Sequence, residues 1–521
     1  MNRLTIYFTS DTHGYLFPTN FIDSTIQPMG LLSMRFPKDG NTLVIDGGDA
    51  IQGSPLTYYC HEEGLPAPVA PVMNRMGYDY VTLGNHDFNY GPEWLAGHLN
   101  ALHAPCLCAN VEDSLGRLAV RPWAVHTLEN GLKVGLFGVV TDWVNRWERP
   151  ENLKGITVSA PLPAARKAVA ALQEQKVDLI VCISHSGLEK DPDTGSVLSE
   201  TGEHVTCLLC EQLPIDLMLA GHQHVPMANK TWAGTHVVQT SCNATDYVRV
   251  TLSEEGVFHS ELCPVTPAET ISAGEDALWA GLQRFLARPV GRLARPLRPA
   301  AHLRMAYEGS DIADFFNQVM LWASGADLSC TALANQVKGL EEVVTVQDVI
   351  ATYPYSNTLV VVSVDGKTLR LALEQCAKYF EQDDTGVLRV SDEYLKPKQA
   401  HYNYDYYTGL TYAFDVSRPA GSRVTKLERN GRPIADGDTF TLCMNNYRAT
   451  GAGNYDYFAA LPHVREIQTE MSELILNYLR EHTEVRLPEK HAFAVTGGRL
   501  PDGCLRKNRL NFSVDISCRT C

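Results

Sequence analysis

Short apolar runs rich in valine, isoleucine and leucine recur through the first half of the chain. They are LTIYFT, TLVIDGGD, YDYVTLGNHD, KVGLFGVV, VDLIVCISH, IDLMLAGHQH and HVVQTS. Continuous apolar runs of about four to eight residues are typical of strands that are covered on both faces. Helical patterns lie between several of them, most clearly in APLPAARKAVAALQEQKVD, which has an early proline and helically spaced Ala and Leu. Strands that alternate with helices predict an α/β domain.

The pattern changes after residue 265, and we place the end of the first domain there. The segment 266–298 contains an apolar helical stretch, EDALWAGLQRFLAR, followed by the Pro- and Arg-rich RPVGRLARPLRPAAH, and it is predicted as a linker helix. Residues 299–487 mix an amphipathic helix, SDIADFFNQVMLWAS, with strands and with a hairpin signal at NG, so they predict a second, mixed domain. The tail 488–521 is left unassigned.

Length and charge narrow the class of protein. A chain of 521 residues, 45% hydrophobic and 20% charged, has the composition of a globular protein of about two to four domains. The net charge of −16 repels a long phosphate backbone, so we expect no nucleic acid polymer as a partner. A small anionic ligand is still compatible, because bound metal cations can reverse the field inside a cleft.

The start of the chain, MNRLTIYFTSDTHG, lacks the apolar run of a signal peptide, and no window reaches the roughly 18 apolar residues of a membrane span. We therefore expect a cytoplasmic protein that does not bind a membrane, as a monomer or a homodimer. The 14 cysteines are scattered, several of them within apolar runs, which indicates free thiols in a reducing compartment.

Two cysteine pairs have C-x-x-C spacing, which zinc sites and redox pairs share. Cys207 and Cys210 lie on a predicted amphipathic helix, EHVTCLLCEQL, where burial is the simpler interpretation. Cys518 and Cys521 end the chain and receive no interpretation.

Polar side chains with metal-binding chemistry follow the predicted strands of the first domain, where α/β sheets hold their ligands. Taken singly, each has an ordinary explanation as a helix cap, a turn residue or a core histidine. Together they form a mixed oxygen and nitrogen set that suits two divalent transition metals. The predicted ligands are Asp11, His13, Asp49, Asn85, His185, His222 and His224.

The two metals would share one carboxylate. Asp49 is the expected bridge, because its two oxygens can serve ions about 3.5–4 Å apart. We assign Asp11, His13 and His224 to one ion and Asn85, His185 and His222 to the other. In DTH and HQH the ligands lie at i and i+2, so an extended backbone turns both side chains to one side.

His86, next to a ligand but outside the set, fits a proton donor to the leaving oxygen or a cation that stabilises the transferring phosphoryl group. A hydrogen-bonding role behind the ligands is the alternative.

These motifs, SDTHG, GGDA, GNHD, SHSG and GHQH, resemble the calcineurin-like metallophosphoesterase signature. Over residues 4–487 the chain resembles the 5′-nucleotidase family. Within it, GGDAIQGSPL, GNHDFNYG and MNNYRATGAGNYD resemble the branch of 2′,3′-cyclic-nucleotide 2′-phosphodiesterase/3′-nucleotidases. The resemblance implies an α/β fold: a two-layered β-sandwich flanked by helices, then a smaller α/β nucleotide-binding domain. It also implies two metal ions, Mn, Zn, Fe or Co, on the seven ligands named above.

The resemblance further implies that two aromatic rings of the second domain clamp the nucleobase. By motif these are Tyr404 in YNYDYY and Tyr447 in NNYRATG, with Tyr402 close enough to be confused with the first. Stacking on a base is worth about 1–3 kcal/mol and tolerates any base. Without the resemblance, half-buried strand aromatics would explain both tyrosines. The backbone of the TGAGN stretch would approach ribose or phosphate, through Gly451, Gly453 and Asn454.

Two departures from the 5′-nucleotidase pattern favour the cyclic-nucleotide branch. Asn89 stands where the 5′ enzymes carry an acid that pairs with the catalytic histidine, and TALANQVKG lacks their arginine. We expect His86 to assist the leaving oxygen, Asn89 to orient its ring and Asp87 to brace the loop.

A metal-activated water would open a 2′,3′-cyclic nucleotide to the 3′-phosphate, and a second turnover would release the nucleoside. The alternatives are a 5′-nucleotidase, a nucleotide-sugar pyrophosphatase or, more remotely, a non-catalytic nucleotide-binding protein.

Overall fold

The computed structural model describes residues 3–22, 25–199, 202–272, 274–355, 357–396 and 399–501. The chain divides into two compact units, one up to Phe285 and one from Leu286. This division falls inside the segment 266–298; the domain limits drawn from the sequence stay predictions. Cys518 and Cys521 lie outside the described residues.

Two sheets build the first unit. The strands are β1 (Leu4–Thr9), β2 (Thr42–Asp46), β3 (Tyr80–Val81), β4 (Cys106–Leu107), β5 (Val111–Asp113), β6 (Val120–Arg121), β7 (Trp123–Thr127), β8 (Lys133–Val140), β9 (Ile156–Val158), β10 (Leu179–His185), β11 (Leu217–Ala220), β12 (Met227–Trp232), β13 (Thr235–Gln239), β14 (Asp246–Leu252) and β15 (Phe258–Pro264). The larger sheet has the order β15-β14-β1-β2-β3-β4-β6 and the smaller β12-β13-β11-β10-β8-β7, and β5 pairs with β9.

The two sheets enclose one apolar core. Ile6 and Ile45 from the larger sheet pack in the same buried cluster as Leu136, Ile183 and Leu219 from the smaller. A second cluster covers the outer face of the smaller sheet with helices α5 (Pro161–Glu174) and α6 (Thr206–Gln212). The helices of this unit are α1 (Pro55–Glu62), α2 (Val69–Met76), α3 (Pro92–Ala101), α4 (Val144–Trp147), α5 (Pro161–Glu174), α6 (Thr206–Gln212) and α7 (Asp276–Leu286), which extends one residue past the division. The predicted β-sandwich with flanking helices is confirmed.

Parallel pairing brings the carboxyl ends of the central strands to common edges. β1 pairs in parallel with β2, and β2 with β3, while β10 pairs in parallel with both β8 and β11. Each of β1, β2, β3, β10 and β11 ends within a few residues of a predicted metal ligand. The loops that follow these strands therefore converge on one region of the first unit.

Both cysteines of the first C-x-x-C pair are buried. Cys207 and Cys210 lie on α6, contribute to the core beneath it and are free thiols. Burial raises the pKa of Cys207 to about 11 and that of Cys210 to about 12. Thiolates are the reactive and metal-binding form of cysteine, and burial keeps these two thiols protonated. The pair is therefore part of the hydrophobic core, as the helical interpretation predicts.

The strands of the second unit are β16 (Pro289–Arg292), β17 (Leu328–Ala332), β18 (Val343–Thr345), β19 (Leu359–Asp365), β20 (Phe380–Gln382), β21 (Leu388–Val390), β22 (Asp405–Thr408), β23 (Thr411–Asp415), β24 (Val424–Arg429), β25 (Arg432–Pro433), β26 (Thr439–Asn445), β27 (His463–Ile467) and β28 (Phe493–Thr496). They form a five-stranded sheet, β22-β17-β26-β19-β27, and a four-stranded sheet, β25-β24-β23-β28, with two small pairs, β16-β18 and β20-β21. Its helices are α8 (His302–Glu308), α9 (Asp311–Ser324), α10 (Val346–Thr352), α11 (Gly366–Ala377), α12 (Asn446–Ala449), α13 (Asp456–Ala459) and α14 (Met471–Glu481).

Part of the unassigned tail belongs to this unit. β28 pairs in parallel with β23, and Phe493 stacks on Tyr412 with ring centroids 5.2 Å apart. The strand is only four residues long, which is too short for a periodic pattern to show in the sequence.

Within the described ranges, each helix falls short of the length or the apolar character that crossing a bilayer requires.

Candidate active site

The predicted metal ligands of the first unit follow strand ends on tight, strained turns. Five of the seven have a positive φ, a conformation that residues with a side chain rarely adopt. Such strain persists only where the surroundings impose it, and it concentrates at functional sites. The five are Asp11 (φ 55), His13 (φ 47), Asp49 (φ 54), His222 (φ 82) and His224 (φ 58).

One cluster is formed by Asp11, His13 and His224, the three residues assigned to one metal. His224 Nε2 lies 3.2 Å from Asp11 Oδ1 and 3.2 Å from His13 Nε2. His13 Nδ1 lies 2.9 Å from the carbonyl oxygen of Gln52, to which it donates, so its Nε2 is left as an acceptor aimed at the other two ligands. The donor atoms lie within 4.8 Å of one another, which fits a single ion.

Asp11, Asp49 and His185 form a second cluster around the expected bridge. His185 Nε2 lies 3.0 Å from Asp49 Oδ2 and 3.8 Å from Asp11 Oδ1, but it makes no hydrogen bond of good geometry in this fully buried position. Its Nδ1 donates to the carbonyl oxygen of Gly47 at 2.7 Å. A buried nitrogen that faces two carboxylates without a hydrogen bond fits a shared cation.

Asn85 and His222 meet on the other side of this region. His222 Nδ1 lies 2.8 Å from Asn85 Oδ1, and its Nε2 lies 2.7 Å from Glu203 Oε1. Asn85, His185 and His222 are the ligands predicted for the second metal, and the rings of the two histidines lie with centroids 5.5 Å apart. Glu203 was missed by the sequence analysis, because it follows no strand end and belongs to none of the quoted motifs.

Charges compensate one another among these buried ligands. Burial raises the pKa of Asp11, but His185 and His224 outweigh it and lower this pKa to about 2. Burial lowers the pKa of His185, whereas Asp49 and Asp11 raise it to about 10. The carboxylates thus hold a proton on His185, and a divalent cation at this position would displace that proton. The donor set fits divalent metals on these grounds.

His86 lies beside the ligands and points its ring toward the first cluster. Its backbone N–H donates to Asp49 Oδ1 at 2.7 Å, and its ring centroid lies 5.3 Å from that of His13. Asn89 Oδ1 lies 3.0 Å from His86 Nδ1. Burial lowers the pKa of His86, which favours the neutral ring. A carbonyl acceptor at Nδ1 places the proton there and leaves Nε2 available to another group.

Asp87 is a fully buried brace for the turn that carries Asp49. Its Oδ2 accepts the backbone N–H groups of Gly84 and Asp49, and its Oδ1 accepts those of Ala50 and Ile51, at 2.8–3.2 Å. With both oxygens engaged in this way, the carboxylate ties the GNHD loop to the GGDA loop.

Gly84 is required by this close approach of the two loops. A Cβ at this position would overlap the carboxylate and the backbone nitrogen of Asp49. The glycine therefore lets Asn85 and Asp49 come together, which explains the G before N-H-D physically.

In the second unit, the prediction for Tyr404 is wrong. Tyr404 is only 2% exposed, and its ring packs between Tyr379 and Tyr406 at centroid distances of 4.9 and 5.0 Å. Its hydroxyl donates to the carbonyl oxygen of Ala306 at 3.1 Å. A ring enclosed in this way is a core residue and has no face to offer a base.

Tyr447, in contrast, is 40% exposed, and its ring lies 6.3 Å from that of the partly exposed Tyr402. Tyr355 is 39% exposed; burial raises its pKa, and the neighbouring Tyr402 and Tyr447 raise it further. We call Tyr355, Tyr402 and Tyr447 the tyrosine surface. It offers aromatic faces to a ligand where Tyr404 offers none.

A buried ion pair holds this surface in place. Arg448 and Asp405 are each 2% exposed, with Arg448 Nε 2.8 Å from Asp405 Oδ2 and a second nitrogen donating to Oδ1 at 2.9 Å. Arg448 also donates to the carbonyl oxygens of Tyr402 and Ala452. This ion pair, with one hydrogen bond between its members and the two carbonyl contacts of Arg448, fastens the segment of Tyr402 to that of Tyr447.

The glycine-rich stretch after Tyr447 is a set of left-handed turns. Gly451, Gly453 and Asn454 have φ of 85, 77 and 70. A Cβ on Gly453 would collide with Asn403 and Arg448, so this glycine serves the internal packing of the loop. Asn454 is exposed and donates to Glu393 at 2.7 Å. Their predicted contact with ribose or phosphate stays a prediction.

A β-sandwich whose strand-end loops converge on a histidine and carboxylate centre defines a metallophosphoesterase-type domain. Comparison with known protein families supports this class. Residues 4–226 match the calcineurin-like phosphoesterases, and residues 289–460 match the 5′-nucleotidase C-terminal domain. The chain belongs to the calcineurin-like phosphoesterases with a 5′-nucleotidase C-terminal domain, whose named members are phosphoric ester hydrolases.

Individual relatives cover nearly the whole chain. The crystal structure of a putative 5′-nucleotidase from Staphylococcus aureus is 33% identical, with a TM-score of 0.69 over 95% of this chain and 99% of that one. A 2′,3′-cyclic-nucleotide 2′-phosphodiesterase/3′-nucleotidase from Yersinia enterocolitica is 27% identical over 92% of this chain and 86% of its own length. The trifunctional nucleotide phosphoesterase protein YfkN of Bacillus subtilis is 25% identical over 93% of this chain, which spans only 38% of that protein.

Proposed function

We propose that this chain hydrolyses nucleotide phosphoesters, with 2′,3′-cyclic nucleotides and 3′-nucleotides as its substrates. The observation that carries the proposal is the set of seven buried or partly buried candidate ligands, five of them in two clusters that share Asp11 and two in the Asn85–His222 contact, with five of the seven on strained turns. The cyclic-nucleotide phosphodiesterase/3′-nucleotidases among the relatives support the choice of substrate.

The seven ligands would hold two divalent cations. Asp11, His13 and His224 would hold one ion, Asn85, His185 and His222 would hold the other, and Asp49 would be shared by both; the Asp11–His13–His224 cluster and the Asn85–His222 contact support this assignment. When bound, such a cation pair polarises the phosphoryl group and makes an attacking water more acidic. Asp87 contributes by holding the Asp49 turn rigid, since rigid ligands keep the centre organised for the transition state.

His86 is placed to act on the oxygen that leaves phosphorus. Because Asn89 fixes the Nδ1 position, the Nε2 edge is the one that would meet substrate. Because Nδ1 carries the proton of the neutral ring, Nε2 accepts a hydrogen bond, and it would take up a proton from substrate or water before passing one to the leaving oxygen. An amide stabilises the charged ring less than a carboxylate would, which distinguishes this chain from a site with an acid at residue 89.

The nucleobase would stack on the tyrosine surface of the second unit. Tyr402 and Tyr447 take the roles for which sequence alone suggested Tyr404 and Tyr447. Because every base has a π-face, such a surface supports binding of purines and pyrimidines alike.

The substrate proposal is tested by phosphate release from 3′-AMP, 5′-AMP and 2′,3′-cyclic AMP in the presence of Mn²⁺. Turnover of the 3′ and cyclic substrates is expected. Exclusive turnover of 5′-AMP or of a nucleotide sugar would replace the proposal with the 5′-nucleotidase or pyrophosphatase alternative. Failure to hydrolyse any phosphoester, including an aryl phosphate, would indicate a non-catalytic binding protein.

The assignments of two neighbouring residues are tested by alanine substitution. His86→Ala is expected to lower turnover about 10²–10⁴-fold while both metals stay bound, because it removes a proton-transfer group and no ligand. Asn85→Ala is expected to lower metal occupancy at one of two sites. Metal content by mass spectrometry separates the two effects, and equal metal loss in both variants would show that the neighbours are misassigned.

A further inference from the structure

Glu203 contacts His222 on the edge of the ring that faces away from Asn85. Its Oε1 lies 2.7 Å from His222 Nε2, while His222 Nδ1 lies 2.8 Å from Asn85 Oδ1. A carboxylate only accepts hydrogen bonds, so the Nε2 position must carry the proton. In the neutral ring Nδ1 is then a bare lone pair directed at the Asn85 side.

The lone pair on Nδ1 and the amide oxygen of Asn85 face each other at 2.8 Å, as two acceptors. A cation satisfies both atoms at once, whereas the other tautomer would let Nδ1 donate to Asn85 and would remove the nitrogen as a ligand. Glu203 therefore selects the tautomer that binds metal.

Glu203 is itself held in position by its backbone. Its carbonyl oxygen accepts the hydroxyl groups of Thr141 and Ser186 at 3.0 Å each, which ties it to the ends of β8 and β10. Its side chain is 21% exposed. On another side the ring of Trp147 lies nearly parallel to that of His222, with centroids 5.8 Å apart and an interplanar angle of 24°. The imidazole is thus held by a hydrogen bond to Glu203 and by an aromatic neighbour.

Glu203, His204 and His222 also lie close enough to suggest a metal site of their own. The geometry argues against it. The distance of 2.7 Å between Glu203 and His222 is a hydrogen bond, and His204 Nδ1 is already engaged with the carbonyl oxygen of Ser186 at 2.7 Å. His204 Nδ1 lies 3.9 Å from the carboxylate.

We propose that Glu203 is a positioning residue that orients His222 and fixes its tautomer for binding one of the two divalent cations. This inference rests on the proposed function, since it requires a metal centre at Asn85 and His222. It adds a residue that lies outside every motif and acts on metal affinity through His222 alone.

Apo protein titrated with Mn²⁺ tests the inference, with calorimetry for affinity and mass spectrometry for metal content after gel filtration. Glu203→Ala is expected to weaken binding about 10–100-fold at one of two sites and to leave the other at its wild-type affinity. Glu203→Gln should restore part of the loss, because its amide oxygen still accepts the Nε2 proton. Glu112→Gln, at an exposed glutamate of β5, is the matched control and should leave both affinities unchanged.

The possible failures are distinguishable. Wild-type affinity at both sites in Glu203→Ala would overturn the role of Glu203 while leaving the proposed function intact, and so would equal weakening at both sites. Wild-type protein that binds no Mn²⁺ or Zn²⁺ would overturn the proposed function and this inference with it. If the alanine variant does not fold, Glu203→Asp takes its place, because it withdraws the carboxylate by one methylene and should weaken the same single site.

Discussion

Two tyrosines separated by one residue in the second unit are expected to respond to alanine in opposite ways. Tyr404 is enclosed in the core, whereas Tyr402 belongs to the tyrosine surface. Tyr404→Ala should therefore act on stability and Tyr402→Ala on the binding of substrate.

The cost of Tyr404→Ala follows from its surroundings. The side chain is 2% exposed, and it contacts the rings of Tyr379, Phe380 and Tyr406. Truncation of a large buried aromatic side chain costs about 3–5 kcal/mol, and the carbonyl oxygen of Ala306 also loses its donor. For a unit of this size, each kcal/mol shifts the thermal midpoint by about 2–4 °C. The midpoint of the second unit should therefore fall by roughly 6–20 °C.

The effect of Tyr402→Ala is expected in KM. Loss of one stacking partner is worth about 1–3 kcal/mol, which raises KM about 5- to 150-fold for a nucleotide substrate. Because Tyr402 is partly exposed and its backbone is held by Arg448, its removal should change stability far less than removal of Tyr404 does.

Differential scanning calorimetry and the KM for 3′-AMP are measured for both variants, with an aryl phosphate that carries no base as the control substrate. Tyr402→Ala should leave the KM for the aryl phosphate unchanged. A Tyr404→Ala variant with the wild-type midpoint and a raised KM for 3′-AMP would refute this reasoning and return Tyr404 to the base clamp.

Two further outcomes are expected away from this surface. In Asp87→Asn, some of the four backbone N–H donors that Asp87 accepts would face an amide NH₂ instead of an oxygen. The thermal midpoint of the first unit should therefore fall by an amount that corresponds to about 1–3 kcal/mol. An unchanged midpoint in calorimetry would contradict the bracing role. The hydrogen bond that His491 donates to Asp314 raises the pKa of His491 above 6.5. The pair should therefore stabilise the second unit most below that pH and lose its contribution as the pH rises through the raised pKa. Midpoints measured between pH 5 and 9 check this second prediction, because His491→Gln should flatten the profile, and a wild-type profile without this slope would count against it.

The sandwich and the loops that carry its candidate metal ligands could be predicted because local sequence encodes them directly. Continuous apolar runs identify strands, and parallel strands bring their carboxyl ends together, so residues such as Asp11, Asp49 and His185 meet without further information. The glycine before Asn85 is visible in the sequence too. The structure gives the reason for it, because a Cβ at this position would block the close approach of the two loops.

Glu203 could not be predicted by the same reasoning. It lies between β10 and α6, in a segment with no apolar period, and its contact with His222 depends on how two separate loops fold over the ends of β8 and β10. A glutamate in a polar loop is usually solvated, so the sequence offers no signal that separates this one from its neighbours.

The sequence does not distinguish Tyr402 from Tyr404 for a different reason: a turn interrupts the alternation of side chains between the two faces of the strand. In a continuous strand, residues two apart lie on the same face, so Tyr402 and Tyr404 would be exposed or buried together. The structure instead has a short 3-10 turn over His401–Asn403, and β22 starts only at Asp405. The turn rotates Tyr402 away from the core, while Tyr404 and Tyr406 pack against each other inside it. Motif alignment finds the segment that supplies an aromatic face, but only the turn determines which ring supplies it, and paired alanine variants test that turn directly.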